Sequence, residues 1–421
     1  MSNLPDAPNR PTQDPTFERA RQLFTEGLAH FAGGRLDDAE RCFLASLQLL
    51  PGRISTLVNL AGVRVRQGRG SDALDAAQQV LALEPGNADA CFHRADALAL
   101  TGRAEEALEG FRQAATLQPG ALPWYRHGQV LQSLDRDGEA LASYERAIAA
   151  DPAFAPAWTN KGNILRERSQ LREAAHAFRQ AIAHGATDPL NAYYLASVSA
   201  DAPPASAAPG AYVEGLFDHY ADNFDHHVVE VLGYRAHEML VSETIRLAPG
   251  RWFQSALDLG CGTGLCGAML KTCSERITGV DLSAGMLAKA RQGGHYAQLV
   301  QQDIDAFLQS SDARHDMVVA ADVFIYVGAL EKVFAGVQRV MEPGGMFCFS
   351  LEELPAQATA EFELRPSLRF AHSQRYARRL AHEHGFEWVH ALRMPVRHDQ
   401  RKAIDGLFVF LRKRPDTLNP S

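Results

Sequence analysis

A phrase that recurs five times in phase sets the strongest constraint on how this chain folds. GRLDDAERCFLASLQLLP, GRGSDALDAAQQVLALEP, GRAEEALEGFRQAATLQP, DRDGEALASYERAIAADP and SQLREAAHAFRQAIAHG follow one another through the first half. Ala39, Ala73 and Ala107 lie 34 residues apart, and Ala140 and Ala174 follow at intervals of 33 and 34. So small a residue lets one helix of a pair approach the other closely. Phe43, Ala77, Phe111, Tyr144 and Phe178 come four positions later on the same helical face, where they fill the gap between neighbours. Pro51, Pro85, Pro119 and Pro152 then end each pair, because proline cannot continue a helix. The first helices agree: Trp124, Gly128 and Leu131, like Trp158, Gly162 and Leu165, set a bulky, a small and an apolar residue at helical spacing. One helical hairpin cannot bury its apolar face alone, so such units must stack.

A helix–turn–helix period of 34 residues with these small and large positions resembles the tetratricopeptide repeat, in about five copies over residues 20–188. A capping helix is expected from Asn191 to Ser199, which makes residues 17–200 an all-α solenoid behind a mobile Pro-, Asn- and Asp-rich leader at 1–16. The resemblance implies a concave surface for a protein or peptide partner. Its inner-face positions read Thr25, Asn59, His93, Arg126 and Asn160. Two asparagines fall short of the ladder that would capture a peptide backbone, so a docking or dimerisation scaffold is the plainer expectation.

DAPPASAAPG, from Asp201 to Gly210, is small and Pro-rich, and residues 201–211 read as a linker. The aromatic, helically patterned stretch that follows reads as a lid. Then comes SALDLGCGTGL, in which Ala256 to Leu259 form a buried strand and Gly260, Gly262 and Gly264 open the next helix. Glycine serves where a ligand must approach the backbone closely or the dihedrals are closed to other residues. ITGVD supplies a second strand ending in Asp281, QLVQQD a third ending in Asp303, DMVVAAD a fourth ending in Asp322, and the segment after the turn EPGG a fifth. Helices at 283–292, 304–310 and 329–341 alternate with them, which predicts a parallel sheet with right-handed crossovers. After a helix at 373–385, strands at 386–394 and 406–412 follow with no helix between them, so they should pair antiparallel.

Two cofactor classes compete for such a sheet. Nicotinamide dehydrogenases favour GxGxxG and a sheet that continues in parallel. Here the spacing is GxGxG with Asp258 ahead of it, and the last strand reverses. Residues 212–414 therefore resemble the class I S-adenosylmethionine-dependent methyltransferases, an α/β Rossmann-like domain with a seven-stranded sheet whose last strand is antiparallel. Together with the repeats, the chain is similar to bacterial tetratricopeptide-containing methyltransferases known from sequence. The resemblance implies S-adenosylmethionine as cofactor. Asp258 and the backbone of Gly260, Cys261, Gly262 and Gly264 would hold its methionine portion, Asp281 with Leu282 its ribose, and Asp303 with Ile304 its adenine. Asp322 would line the junction with the substrate. Capping of the next helix is the alternative reading for each strand-end acid.

A sulfonium methyl is already activated, so such an enzyme mainly supplies alignment and a dry site. A base is needed only for a hydroxyl or a protonated amine. Tyr220, Tyr326 and His372 are candidates by position. The NPPY signature of amide methylation is absent, since ADVFIYV stands after strand four. A net charge of −8 argues against nucleic acid as main partner. Six scattered cysteines without a CxxC pair speak for a reducing, cytoplasmic setting and against a zinc site, and no metal is expected. No secretory signal and no apolar run long enough to span a membrane is visible. The leading expectation is a methyltransferase for a small molecule or carrier-bound metabolite, with the repeats docking a protein partner. A protein methyltransferase whose repeats hold the polypeptide, and a lapsed cofactor-binding scaffold, stay as alternatives.

Overall fold

The computed structural model describes residues 14–187, 189–221, 224–225, 233–399 and 402–415. Most of the expected leader, at 1–13, and part of the expected lid, at 222–223 and 226–232, lie outside the described residues. The chain divides into two compact units between Ala186 and Thr187.

Among the described residues the first unit holds five helix pairs: α1 (Pro15–Ala32) with α2 (Leu36–Leu49), α3 (Ile54–Arg66) with α4 (Gly70–Leu83), α5 (Ala88–Leu100) with α6 (Ala104–Leu117), α7 (Ala121–Ser133) with α8 (Asp137–Ala150), and α9 (Ala155–Glu167) with α10 (Leu171–Ala183). The repeating alanines and the aromatics four positions later are fully buried. Phe43, Tyr144 and Phe178 each seat against a glycine of the preceding helix. A Cβ on Gly27, Gly128 or Gly162 would come within 2.6 Å of the ring of Phe43, Tyr144 or Phe178. Absence of a side chain in one helix thus makes the seat for an aromatic in the next. Three of the five inner-face positions are engaged within the array: Asn160 donates to the Tyr144 hydroxyl at 3.1 Å, Asn59 to the Ser55 carbonyl at 2.8 Å and Arg126 to Asp96 at 2.8 Å.

The second unit opens with α11 (Pro189–Val198), the helix expected to cap the repeats. Its Tyr193 is only 2% exposed and donates its hydroxyl to the Leu368 carbonyl at 2.7 Å, so α11 groups with the second unit. Next come α12 (Gly210–Tyr220) and α13 (Ala236–Leu247). A parallel sheet follows in the order β3 (Gln298–Gln301), β2 (Ser274–Asp281), β1 (Phe253–Leu259), β4 (His315–Ala320), β5 (Met341–Glu353). Helices α14 (Leu265–Leu270), α15 (Ala284–Gly293), α16 (Ile304–Ser310) and α17 (Glu331–Val340) link its strands.

Beyond β5 the hairpin β6 (Phe362–Leu364) and β7 (Phe370–His372) precedes α18 (Gln374–Glu383), β8 (Phe386–Asp399) and β9 (Lys402–Lys413). Strand β9 runs antiparallel to both β5 and β8, as the missing connecting helix requires. The small hairpin raises the expected seven strands to nine; β7 joins the carboxyl end of β5 at Glu352 and Glu353.

Central strands are apolar without a break because both faces are covered. Leu257, Val318 and Phe347 enter one apolar cluster, while their neighbours Ala256, Met317 and Met346 enter the other. Among the described residues no helix is long and apolar enough to cross a membrane.

Candidate active site

The site forms where parallel strands end side by side. At the end of β1 the amides of Gly260 and Cys261 both donate to the Val280 carbonyl of β2, at 2.8 and 3.0 Å. Gly260 has φ +66°, and a Cβ there would lie 2.4 Å from Val323 Cγ2, so neither the turn nor the approach admits a side chain. Gly262, at φ +53°, has open space on its Cβ side instead. The Asp281 carboxylate ties this loop down. Its two oxygens accept from the amides of Gly262 and Ser283, both at 2.9 Å. Burial pushes this carboxyl above the usual carboxylate range. Asp303 caps α16: Oδ1 accepts from the amides of Asp305 at 2.9 Å and Ala306 at 3.1 Å. Asp303 is therefore a helix cap, Asp281 ties the glycine loop to Ser283, the residue that caps α15, and both line the cavity.

That cavity has a volume of about 640 Å³, a size suited to a small molecule. Gly260, Cys261, Gly262, Asp281, Leu282, Asp303, Ile304 and Asp322 line it, together with Tyr220 and Tyr326. Helix α12 contributes Val213, Leu216 and Phe217, and its Asp218 accepts from the Gly285 amide at 3.1 Å. The lid expected from sequence is thus partly seen, pinned to the start of α15. The expected linker is a strap on the loop after β4. Ser206 offers its carbonyl to the amides of Gly328 and Ala329, at 2.8 and 2.9 Å, and the Ala208 amide donates to the Tyr326 carbonyl at 2.8 Å.

Three sequence candidates stand elsewhere. Asp258 is 1% exposed beneath the loop, where it accepts from the Tyr296 hydroxyl at 2.7 Å; burial pushes its carboxyl up to about 7 against the pull of that hydrogen bond. Gly264 serves as the left-handed N-cap of α14, where a Cβ would meet Tyr296 at 3.1 Å. His372 is wholly buried, with Nε2 on the carbonyls of Val327 and Gly328 at 2.9 and 3.0 Å. Burial holds its imidazole down at about 4, neutral, and it braces the loop after β4 without facing the cavity. Sequence position brought it near the site; side-chain direction turned it inward.

Sequence reasoning missed Tyr296, whose ring occupies the space left by Gly267 and Gly279, and two arginines, Arg369 and Arg397, that line the cavity. Arg397 pairs with Asp322 at 3.3 Å and with buried Glu352. Asp322 itself sits at φ +59°, a strained setting for a non-glycine residue, with its amide donating to Ser350 Oγ at 2.8 Å.

Residues 257–349 match the model of the methyltransferase domain family, and residues 122–154 and 143–176 each match tetratricopeptide repeat models. Residues 5–119 match a bacterial transcriptional activator domain model. The chain therefore carries a methyltransferase domain behind tetratricopeptide repeats. It is 33% identical over 102 residues to the malonyl-[acyl-carrier protein] O-methyltransferase of Enterobacter lignolyticus, covering 24% of this chain and 40% of that one. With the trans-aconitate 2-methyltransferase of Paracidovorax citrulli it shares 30% over 120 residues, 28% of this chain and 44% of the other. The chain thus spans less than half the length of these curated relatives. Among solved structures, the N-methyltransferase NodS of Bradyrhizobium japonicum superposes with a TM-score of 0.39 at 17% identity, covering 48% of this chain and 99% of NodS.

Proposed function

We propose that the second unit is an S-adenosylmethionine-dependent methyltransferase for a small molecule or carrier-bound metabolite, and that the repeats dock a protein partner. The observation that carries this reading is the open glycine loop flanked by Asp281, within a region that matches the methyltransferase domain model. Two relatives, by their names, act on a carrier-bound malonyl group and on a free organic acid, which supports the substrate class.

The loop fits the cofactor on its own chemistry. The space above Gly262 is what a Cβ would fill, and the Asp281 carboxylate beside it is an acceptor for vicinal hydroxyls. In this reading Asp281 and Leu282 take the ribose, Asp303 and Ile304 the adenine, and the backbone of Gly260 to Gly262 the methionine portion. Asp303 keeps Oδ2 for that task, since both cap bonds fall on Oδ1. Asp258 acts at one remove, holding Tyr296 under the loop. When bound, S-adenosylmethionine supplies a methyl group on a sulfonium, whose carbon–sulfur bond breaks as the bond to the acceptor forms. The chain's own work is to align the acceptor and keep water out, which Val213, Leu216 and Phe217 do from above. Burial raises the Tyr326 hydroxyl above its ordinary range, so it stays protonated and positions rather than abstracts a proton.

Incubation of the full chain with radiolabelled S-adenosylmethionine and a bacterial extract, followed by size fractionation, tests the reading. Label in small molecules or on acyl carriers is expected. Label confined to ordinary polypeptides would favour a protein substrate held by the repeats, and no transfer to either fraction would refute the activity.

A further inference from the structure

Two arginines line the cavity, and among the described residues only one of them enters an ion pair. Arg397 pairs with Asp322 at 3.3 Å and with one oxygen of Glu352, and Arg365 reaches the other oxygen of Glu352 at 3.2 Å. These two guanidiniums and two carboxylates form a neutral chain. Arg369 lines the same cavity and stands outside that chain. Among the described residues no carboxylate lies within ion-pair distance of it. Tyr326, Asp322 and Glu352 act on it electrostatically and together favour its charged form against the cost of burial.

A half-buried guanidinium that enters no ion pair keeps N–H donors to offer a ligand, and Val213, Phe217 and Val327 line the same cavity. The planar guanidinium fork also matches a carboxylate with two parallel hydrogen bonds. Resting on the methyl-transfer reading above, we infer that Arg369 and the Tyr326 hydroxyl form the recognition site for a carboxylate on the methyl acceptor. A carboxylate is a monoanion that can pair with Arg369 directly. A phosphate monoester carries about −1.5 to −2 at neutral pH and would leave excess negative charge in a cavity that already holds Asp281, Asp303 and Asp305.

Calorimetry on the full chain saturated with S-adenosylhomocysteine tests this. The probes are malonate, succinate and trans-aconitate, with malonamide, succinamide and inorganic phosphate as controls. At least one carboxylate is expected to bind the wild type, and the controls more weakly. Arg369→Met should weaken that carboxylate by about ten- to a hundredfold while S-adenosylhomocysteine affinity changes by less than about twofold. Arg369→Lys, which keeps the charge and loses the fork, should fall between.

The inference is overturned if no carboxylate binds the complex, if phosphate binds more tightly, or if Arg369→Met binds the carboxylate as tightly as the wild type. Equal loss of S-adenosylhomocysteine would also overturn it, by assigning Arg369 to the cofactor. Failure of the wild type to bind S-adenosylhomocysteine at all would refute the methyltransferase reading instead, so the two failures are distinct.

Discussion

Replacing Asp281 with asparagine keeps the size of the side chain and removes the property on which the glycine loop depends. Each carboxylate oxygen accepts one backbone N–H, from Gly262 and from Ser283, both at 2.9 Å. An amide side chain offers one acceptor and one donor, so in either orientation one backbone N–H faces another N–H. A donor deprived of its partner costs about 1–3 kcal/mol. At about 2–4 °C per kcal/mol for a unit of this size, the melting temperature should fall by about 2–12 °C. The ribose hydroxyls would lose a charged acceptor as well, and a further 1–3 kcal/mol corresponds to about five- to 150-fold weaker S-adenosylhomocysteine binding. Scanning calorimetry and binding calorimetry at mildly alkaline pH read both effects, since burial raises the wild-type carboxyl and ionisation must be complete. Unchanged melting and unchanged affinity would refute the whole argument. A lower melting temperature with unchanged affinity would leave the loop tie standing and remove the ribose role.

Three further outcomes are expected. Gly162→Ala places a methyl group 2.6 Å from the Phe178 ring; overpacking of about 2–3 kcal/mol should exceed a helix-propensity gain of about 1 kcal/mol, lowering the urea midpoint of the repeats without altering S-adenosylhomocysteine binding. Burial holds His372 at about 4 against an ordinary value of 6.5, so the unfolded chain takes up a proton that the folded chain refuses. Its contribution is complete above pH 6.5 and is lost as pH falls toward 4, by about 3 kcal/mol in all. The difference in unfolding free energy between wild type and His372→Gln should follow that course. The difference is the right observable because Asp258, pushed up to about 7 by burial, adds stability that is full at low pH and is lost as pH rises through that value. A chain starting at Thr187 should stay folded, whereas one starting at Ser206 removes α11 with buried Tyr193 and should melt lower by about 5 °C or more in the same calorimeter.

The repeats were legible because their packing rule is local. A glycine and the aromatic that fills its vacancy lie 16 residues apart in Gly27 and Phe43, Gly128 and Tyr144, and Gly162 and Phe178, so one window of sequence contains the whole contact. Strands β1, β4 and β5 were legible because burial on both faces leaves long apolar runs, and β2 and β3 because Asp281 and Asp303 mark their ends. What escaped depends on contacts distant in sequence or blind to side-chain type. The strap at Ser206 and Ala208 is held by backbone groups, which small residues supply as well as any others. Three-residue strands such as β6 and β7 are too short to show a period. Helix α11 belongs to the second unit through Tyr193 and Leu368, a contact across 175 residues. His372 was a candidate for the site from its place before a helix, although the loop after β4 draws its ring inward. Arg369 and Arg397 lie in different elements beyond the motif region, and only the folded sheet brings them to one wall.

Binding calorimetry of the purified full chain with S-adenosylmethionine and S-adenosylhomocysteine, and with NADH as control, tests the central claim most directly. Low-micromolar binding of both sulfur compounds and none of NADH is the expected result. Binding of NADH alone would contradict the cofactor assignment, and binding of none of the three would contradict a methyltransferase site altogether.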